Sequence, residues 1–159
     1  MSNNIMRLEQ TDYNTLISVA GSIKYRNQDI RESQLFGSKS ILENYKYKRF
    51  SRYYIIYLKD KPIVPIQIDR TGFISFFISS ELNPINDGLV LVKTLKKLLQ
   101  WWTDNYETTL FVKTANWYKE ANKLNKIIGF KEVLISDEYS IWEYRNNRIV
   151  NIPNELRKI

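Results

Sequence analysis

The 159-residue sequence contains neither cysteine nor histidine. Without cysteine the chain can form no disulfide and carries no thiol nucleophile, and without histidine it has no imidazole base. Zinc sites built from Cys or His ligands are excluded for the same reason. Acid–base chemistry must therefore use Asp, Glu, Tyr or Lys side chains or a chain terminus, and the carboxylates show no spacing typical of a metal site.

Long apolar segments are also absent, since no run approaches the ~20 residues that a membrane helix needs. The N-terminal MSNNIMRLEQ has no apolar centre of the kind found in secretory signals, so we expect a cytosolic protein. Hydrophobic content of 43% with 14% aromatic residues predicts a folded globule. Because no repeat or linker interrupts the sequence, we expect one domain spanning residues 1–159.

The formal net charge of +7 is unevenly distributed. One stretch holds five basic residues, one acidic residue (Glu43) and four interleaved tyrosines: Lys39, Lys46, Lys48, Arg49 and Arg52 with Tyr45, Tyr47, Tyr53 and Tyr54. Basic residues mixed with aromatic ones can bind nucleic acid, here through Lys46, Lys48, Arg49 and Arg52. The alternative interpretation is a solvated helix face followed by a strand start.

The most regular pattern runs from Thr108 to Val133. A short apolar run at Leu110 predicts a buried strand, and a helix follows with its apolar face at three- and four-residue steps: Trp117, Ala121, Leu124 and Ile128. Gly129 is suited to end that helix in a left-handed conformation. Phe130 then returns to the core and begins a strand from Lys131 to Ile135.

The N-terminal half predicts a strand at Asn4 to Leu8, a helix capped by Thr11 or Asp12, and two further helical pieces. Three strands joined by short turns follow, and such strands pair antiparallel: Tyr53 to Leu58, Pro62 to Ile68 and Phe73 to Ser79. Pro65 cannot donate a ladder hydrogen bond, so its strand is expected at a sheet edge or with a bulge.

This order of elements resembles the GCN5-related N-acetyltransferase (GNAT) fold. The family's C-terminal motif reads, loosely, Asn-x-x-Ala-x-x-Leu-Tyr-x-x-x-Gly-Phe, and four of its positions match: Ala121, Leu124, Gly129 and Phe130. The family's thiolate-protonating tyrosine falls on Asn125 and its asparagine on Tyr118. The resemblance implies an α+β fold with a mixed, mostly antiparallel sheet of six to seven strands and four to five flanking helices.

The resemblance also implies an acetyl-CoA site, in which backbone N–H groups of a loop and of a helix N-terminus hold the pyrophosphate. Here the loop is expected from Ser80 to Gly88, with the helix beginning near Leu89. The candidate cofactor-binding residues are Phe77, Ile78, Ser79, Asn83, Asn86, Asp87, Gly88 and Asn116. Asn83 and Asn86 replace Gln/Arg and glycine of the family pattern, and Asp87 adds a negative charge that suits a helix N-cap.

Two catalytic roles are assigned on the same resemblance. Glu81 follows the fourth strand and is the candidate general base, with surface exposure as the alternative. Tyr118 is the candidate acid, with an aromatic side chain packed at a helix start as the alternative. Without an intact phosphate loop the protein would bind no cofactor, whereas an active enzyme would use acetyl-CoA.

A second, shorter pattern lies in the N-terminal half, where Arg26, Asp29 and Glu32 are spaced by three and Gly37 follows. It resembles a GNAT-like family of tailed bacteriophages that is associated with internal virion proteins. The pattern predicts either a surface ion-pair cluster or a docking or site-lining helix.

Two functions follow from these resemblances. The first is a phage-type GNAT-fold protein with a degenerate acetyl-CoA site, acting as an assembly or protein-binding module. It would form an oligomer with other virion proteins, in the bacterial host cytoplasm or the virion. The alternative is an active acyl-CoA-dependent N-acetyltransferase acting on a small amine or a protein amine.

Overall fold

The computed structural model describes residues 5–106 and 108–145, so Asn4 of the first predicted strand lies outside them. Its helices and strands, in chain order, are β1 (Met6–Thr11), α1 (Tyr13–Ser22), α2 (Asn27–Leu35), a 3₁₀ turn (Ile41–Asn44), β2 (Arg52–Leu58), β3 (Lys61–Ile68), β4 (Ile74–Phe76), α3 (Pro84–Tyr106), β5 (Leu110–Ala115), α4 (Lys119–Ile128), β6 (Lys131–Ile135) and β7 (Tyr139–Tyr144). Within these ranges no helix is both long and apolar enough to cross a bilayer, and no acidic cluster is arranged to hold a metal ion.

The strands of the described residues form two antiparallel sheets, in the orders β1-β2-β3-β4 and β5-β7-β6. This arrangement confirms the predicted α+β class. The sheets meet where β4 and β5 run parallel and share an isolated bridge between Phe73 and Phe111. There the Phe111 N–H donates to the Gly72 carbonyl oxygen, 2.9 Å away. Beyond this bridge β4 and β5 are not paired, which leaves a V-shaped gap between them.

Two apolar clusters hold these layers together. The larger one joins both sheets to α3, whose inward face is set by helical periodicity at Leu91, Leu95 and Trp102. The smaller one packs Leu16 and Ala20 of α1 against the opposite face of the first sheet. The gap between β4 and β5 is therefore flanked by α3 on one side and by the N-terminal helices on the other.

Several local predictions are confirmed. Asp12 caps α1, because its Oδ1 accepts the Thr15 N–H at 2.7 Å. Gly129 ends α4 at a φ of 115°, in the left-handed region that favours glycine. Phe130 is buried in the core, and β6 has the predicted bounds.

Of the two expectations for the Pro65 strand, an edge position or a bulge, the structure has the bulge, because β3 lies between β2 and β4. A register shift opposite Ile56 and Tyr57 supplies the bulge. The Tyr45 hydroxyl donates to the Pro65 carbonyl oxygen at 2.8 Å, and the Phe77 N–H faces the Tyr45 oxygen. The Tyr45 hydroxyl therefore bridges Pro65 and Phe77, which form no direct hydrogen bond with each other. Regular pairing of β4 with β3 accordingly ends at Phe76.

The start of α3 also differs from the prediction, since the helix begins at Pro84 rather than near Leu89. The Asn83 side-chain oxygen accepts the N–H groups of Ile85 at 3.0 Å and Asn86 at 3.4 Å. Proline is favoured just after such a cap because its missing N–H would have no helical partner. Asn83 rather than Asp87 is thus the cap, and Asp87 lies buried within the first turn.

Candidate functional site

The gap between β4 and β5 opens into a cavity of about 700 Å³. Its walls come from both sheets and from α2, α3 and α4. Toward α3 and α4 the wall is largely apolar, with Leu91, Val92 and Leu124 among its residues. Toward α2 it carries the carboxylates of Asp29 and Glu32. The cavity therefore joins an apolar wall to one that carries charged groups, since Arg26 and Lys113 line it together with the two carboxylates.

Asp29 and Glu32 lie one turn apart on α2 and are only 4% and 7% exposed. The interpretation of the Arg26, Asp29 and Glu32 pattern as a surface ion-pair cluster is wrong for this reason. Arg26 still pairs with Asp29, with Nε and Oδ2 3.3 Å apart, but that pair lines the cavity. The alternative prediction of a site-lining helix agrees with this placement.

Glu32 has one oxygen engaged and one available. Its Oε2 accepts the Ala115 N–H at 2.9 Å, while Oε1 forms no hydrogen bond among residues 5–106 and 108–145. Burial raises the pKa of Glu32 to about 7, and the Asp29 charge adds to the rise, although the Ala115 N–H opposes it. The side chain is thus a carboxyl group poised to exchange a proton near neutral pH.

Tyr118 is 1% exposed, and its hydroxyl donates to Asp29 Oδ1 at 2.7 Å. Burial raises the pKa of Asp29, while the bonds from Tyr118 and Arg26 lower it. Burial and the Asp29 charge together raise the pKa of Tyr118. The Tyr118 hydroxyl proton is directed at Asp29, and Tyr118 is not among the residues of the cavity wall. Its side chain therefore connects α4 to α2 and does not face the gap as an acid.

The structure does not bring Glu81 or Asn116 to the cavity wall. The Glu81 carboxylate forms an ion pair with Lys61 at the surface, which matches the alternative given for it from sequence. The Asn116 amide is used to connect a turn, since Nδ2 donates to the Ser136 carbonyl and Oδ1 accepts from Ser140. Neither side chain is placed to act on a molecule held in the gap.

Phe77, Ile78 and Ser79 do line the cavity, but their backbone N–H groups are not equally available. The Ser79 N–H donates to the Ile63 carbonyl at 2.8 Å, and that of Phe77 faces Tyr45. Successive N–H groups of an extended chain point in opposite directions, so that of Ile78 points away from β3, on the side where the Ser80 N–H meets the Lys24 carbonyl oxygen. It donates to no atom of the described residues and is the donor offered to the gap.

The predicted phosphate-binding residues are placed differently. Gly88 lines the cavity, whereas Asn83, Asn86 and Asp87 do not. The Asn83 side-chain oxygen accepts hydrogen bonds from the N–H groups of Ile85 and Asn86. The Asn83 backbone carbonyl oxygen accepts that of Asp87 at 2.9 Å. The first-turn donors that would hold a diphosphate are therefore already engaged by the chain itself. The residues fit an apolar arm in the gap better than a diphosphate at the start of α3.

One cavity residue is left with an unmatched polar group. Asn125 of α4 is 1% exposed, and its Nδ2 has no partner among the described residues. Its neighbour Asn122 is fully engaged, donating to the carbonyls of Ala115 and Tyr118. A buried unpaired donor costs about 1–3 kcal/mol, so Asn125 is a candidate ligand contact.

The basic stretch offers fewer stacking surfaces than the sequence suggests. Tyr45, Tyr53 and Tyr54 are buried in the two cores, and only Tyr47 of the four interleaved tyrosines is exposed. Lys48 pairs with Asp69, with Nζ and Oδ2 3.4 Å apart. Nucleic-acid binding through Lys46, Lys48, Arg49 and Arg52 stays a prediction.

Solved structures of similar fold cover most of the chain. The GNAT domain of S. lividans PAT matches with a TM-score of 0.67 at 9% identity, covering 87% of this chain and 89% of that one. The N-acetyltransferase PseH of Campylobacter jejuni matches at 0.57 and 13% identity, covering 89% and 99%. A variant of spermidine N-acetyltransferase SpeG from Vibrio cholerae matches at 0.60 and 13%, covering 94% and 98%.

The chain has the GNAT fold. No protein-family model and no curated protein matches its sequence, so the likeness establishes the architecture alone. Nothing in these comparisons supports the finer resemblance to the phage-type family.

Two residues of the cavity wall have no assigned role in the sequence. The spacing of Glu32 from Arg26 and Asp29 predicts a helix face but no chemistry for the carboxyl group. Asn125 stands only where the family pattern has a tyrosine. The signal for Glu32 was present, because acidic residues three apart lie on one helix face, but only the packing of α2 against β5 shows which face is buried.

Proposed function

We propose that this GNAT-fold chain is an N-acyltransferase that transfers an acyl group from a thioester, such as acetyl-CoA, to an amine. The observation that carries the proposal is Glu32, a buried residue of the cavity wall with one carboxylate oxygen bonded to the Ala115 N–H and the other left unengaged. The fold likeness adds weight, since a PseH structure of the same fold is a complex with acetyl coenzyme A. Action in the cytoplasm is part of the proposal.

In this reaction Glu32 accepts a proton from the bound ammonium, which leaves a neutral amine as the nucleophile. The amine nitrogen forms a bond to the thioester carbonyl carbon, and the carbon–sulfur bond breaks. The proton that the nitrogen loses as it becomes an amide passes through water to the departing thiolate, which leaves as the thiol, and Glu32 then releases its own proton to solvent. The Ile78 N–H donates to the carbonyl oxygen while negative charge develops there. A carboxyl pKa near 7 suits both proton acceptance and later release.

The acyl donor supplies an activated acyl group on a flexible arm. On the α3 and α4 side, Leu91, Val92 and Leu124 would contact that arm, with the Asn125 amide as a polar contact. The start of α3 has its N–H groups engaged by Asn83, so little of the affinity would come from a diphosphate. We therefore expect acetyl-CoA to bind less tightly than a protein with free first-turn donors would bind it.

The test is release of CoA from acetyl-CoA across a panel of primary amines, comparing the wild type with Glu32→Gln. A general base contributes roughly 10²–10⁴-fold, so kcat should fall by that order and lose its rise with pH around 7. Glu81→Gln is the matched control, because that carboxylate is paired with Lys61 at the surface. Equal rates for the wild type and Glu32→Gln, or no CoA release with any amine, would contradict the proposal.

A second candidate is the phage-type assembly module with a degenerate acetyl-CoA site. It is favoured by one observation, the engagement of the first-turn N–H groups of α3 by Asn83. Its partners would be virion proteins and further copies of this chain, in the host cytoplasm or the virion. Isothermal titration with acetyl-CoA separates the two candidates, because micromolar binding would exclude a degenerate site.

A further inference from the structure

Lys113 of β5 lines the same cavity as Glu32 and has no acidic partner. Its ammonium lies 4.3 Å from the centre of the Phe36 ring and 4.4 Å from that of Tyr139. It forms no ion pair or hydrogen bond within residues 5–106 and 108–145. Attraction to two aromatic faces holds a cation in place but does not neutralise it. The cavity therefore contains a fixed positive charge in addition to its carboxylates.

Glu32 and Lys113 are brought to the same cavity by the packing of α2 on β5. Glu32 accepts a hydrogen bond from the Ala115 backbone, and Phe36, the residue that follows the end of α2, contacts the Lys113 ammonium. Ala115 and Lys113 are two residues apart on β5, so their side chains lie on the same face of the strand. The Glu32 carboxyl group and the Lys113 ammonium are thus carried by two adjoining elements of one cavity.

A smaller cavity of about 210 Å³ adjoins the main one and shares four wall residues with it: Phe36, Asn44, Phe73 and Ser75. Its charged wall residues are two lysines and two carboxylates, Lys46 and Lys48 with Glu43 and Asp69, and Lys48 pairs with Asp69. This side of the cavity therefore adds no net charge, and the attraction for an anion rests on Lys113 itself.

We propose that the acceptor in this cavity is an amine that also carries an anionic group, a carboxylate or a phosphate. Its ammonium lies at Glu32 and its anion at Lys113. The inference rests on the proposed function for the role of the amine, and it adds the class of acceptor. A neutral amine would leave Lys113 without a counter-ion, and a diamine would place a second cation against it.

The test is isothermal titration of the protein with amines alone, without acyl donor. Two matched pairs separate the carboxylate from the phosphate: γ-aminobutyrate against n-butylamine, and O-phosphoethanolamine against ethanolamine. The diamine putrescine is the cationic probe. We expect at least one anionic amine to bind about tenfold more tightly than its neutral counterpart and putrescine, and the favoured pair identifies the anion.

Lys113→Met should abolish that preference while leaving affinity for the neutral amine unchanged, because it removes the charge and keeps the apolar stem. Lys96→Met, an exposed change on α3, is the matched control and should keep it. Equal binding of anionic and neutral amines, tighter binding of putrescine, no binding of any probe, or an unchanged preference in Lys113→Met would overturn the inference.

The two proposals fail separately. Lys113-dependent binding of an anionic amine without any CoA release would leave this site standing and exclude the N-acyltransferase. CoA release from neutral amines at rates equal to those from anionic ones would keep the N-acyltransferase and exclude this class of acceptor.

Discussion

Tyr118 donates its hydroxyl hydrogen bond to Asp29, joining two residues that are 89 positions apart in the sequence. The bond connects the start of α4 to α2. It sets which face of α2 meets β5, and so it places Glu32 against the Ala115 N–H. A buried tyrosine here acts on the site by holding the helix that carries the carboxylates.

Replacing Tyr118 with Phe should destabilise the fold by about 1.5–3 kcal/mol, because it removes a buried hydrogen bond to a carboxylate. The pKa of Asp29 should also rise, since the lost bond favours its charged form. Urea denaturation measures the first effect. Tyr47→Phe is the control, because Tyr47 is 78% exposed, and it should leave the free energy of unfolding unchanged. Equal stability of the two variants would contradict this assignment.

Stability should fall as the pH rises from about 4.5 to about 7. The pKa of Glu32 is about 7 in the folded chain against an ordinary 4.5, so the folded state binds the proton more tightly in this window. The contribution is fully present below the lower value and lost above the higher one, and is on the order of 3 kcal/mol.

Glu32→Gln removes that titration and keeps an acceptor for the Ala115 N–H. Its free energy of unfolding should therefore vary less across this pH window than that of the wild type, and at pH 8 it should be the more stable protein. Denaturation at several pH values measures both. Glu81→Gln should follow the wild-type curve, and an equally steep decline in Glu32→Gln would show that another group is responsible.

Replacing either of two asparagines on α4 with leucine should change stability in opposite ways. Asn125→Leu removes a buried donor without a partner, so it should leave stability unchanged or raise it by about 1 kcal/mol. Asn122→Leu breaks two hydrogen bonds to backbone carbonyls and should destabilise by about 2–3 kcal/mol. Thermal melts of the pair decide the matter. A large loss in Asn125→Leu would mean that its amide is satisfied in solution.

Asn83→Gly should tighten the binding of CoA. The change removes the side-chain oxygen that takes the N–H groups of Ile85 and Asn86, while glycine at an N-cap costs only a few tenths of a kcal/mol. Two donors at the positive end of α3 then become available to a diphosphate. Isothermal titration should show a several-fold gain for CoA and none for pantetheine, which lacks the diphosphate. A similar gain for both ligands would argue against this explanation.

Gly72→Ala should be strongly destabilising. Gly72 has a φ of 89°, and an added Cβ would overlap the Thr109 carbonyl oxygen beside the bridge between the sheets. Gly88→Ala is the matched control, since nothing lies within 4 Å of its Cβ position and alanine is the better helix former there. Chemical denaturation should show a loss of several kcal/mol for the first variant and none for the second.

The elements predicted well from sequence are those whose signals are local. The helical spacing of Ala121, Leu124 and Ile128, the left-handed stop at Gly129 and the return of Phe130 each depend on a few neighbouring residues. Trp117, expected on the same helix face, lies before α4 begins at Lys119. The interior position of the Pro65 strand could not be predicted from local sequence. Proline is tolerated there because Tyr45, twenty residues away in the chain, bonds to the Pro65 carbonyl oxygen. The family spacing places the start of α3 near Leu89, whereas the local Asn83-Pro84 pair, a cap followed by proline, marks the true start.

The candidate site was harder to predict because burial decides its chemistry. Glu32 and Glu81 are chemically identical in a sequence, and only packing makes the first a buried carboxyl group and leaves the second paired with Lys61. Lys113 carried no motif at all. Its role depends on Phe36, which follows the end of α2, and on Tyr139 of β7.

The meeting point of the two sheets has a mechanical consequence. Within each sheet the strands are joined by their own hydrogen bonds, whereas the two sheets share the isolated bridge between Phe73 and Phe111. The bridge can therefore act as a hinge between the sheets. A small rotation of one sheet about this bridge widens or narrows the gap between β4 and β5 without breaking hydrogen bonds inside either sheet. A bound ligand that moves the two sheets apart would require only side-chain repacking. We therefore expect a crystal structure with bound ligand to show a rotation of one sheet relative to the other.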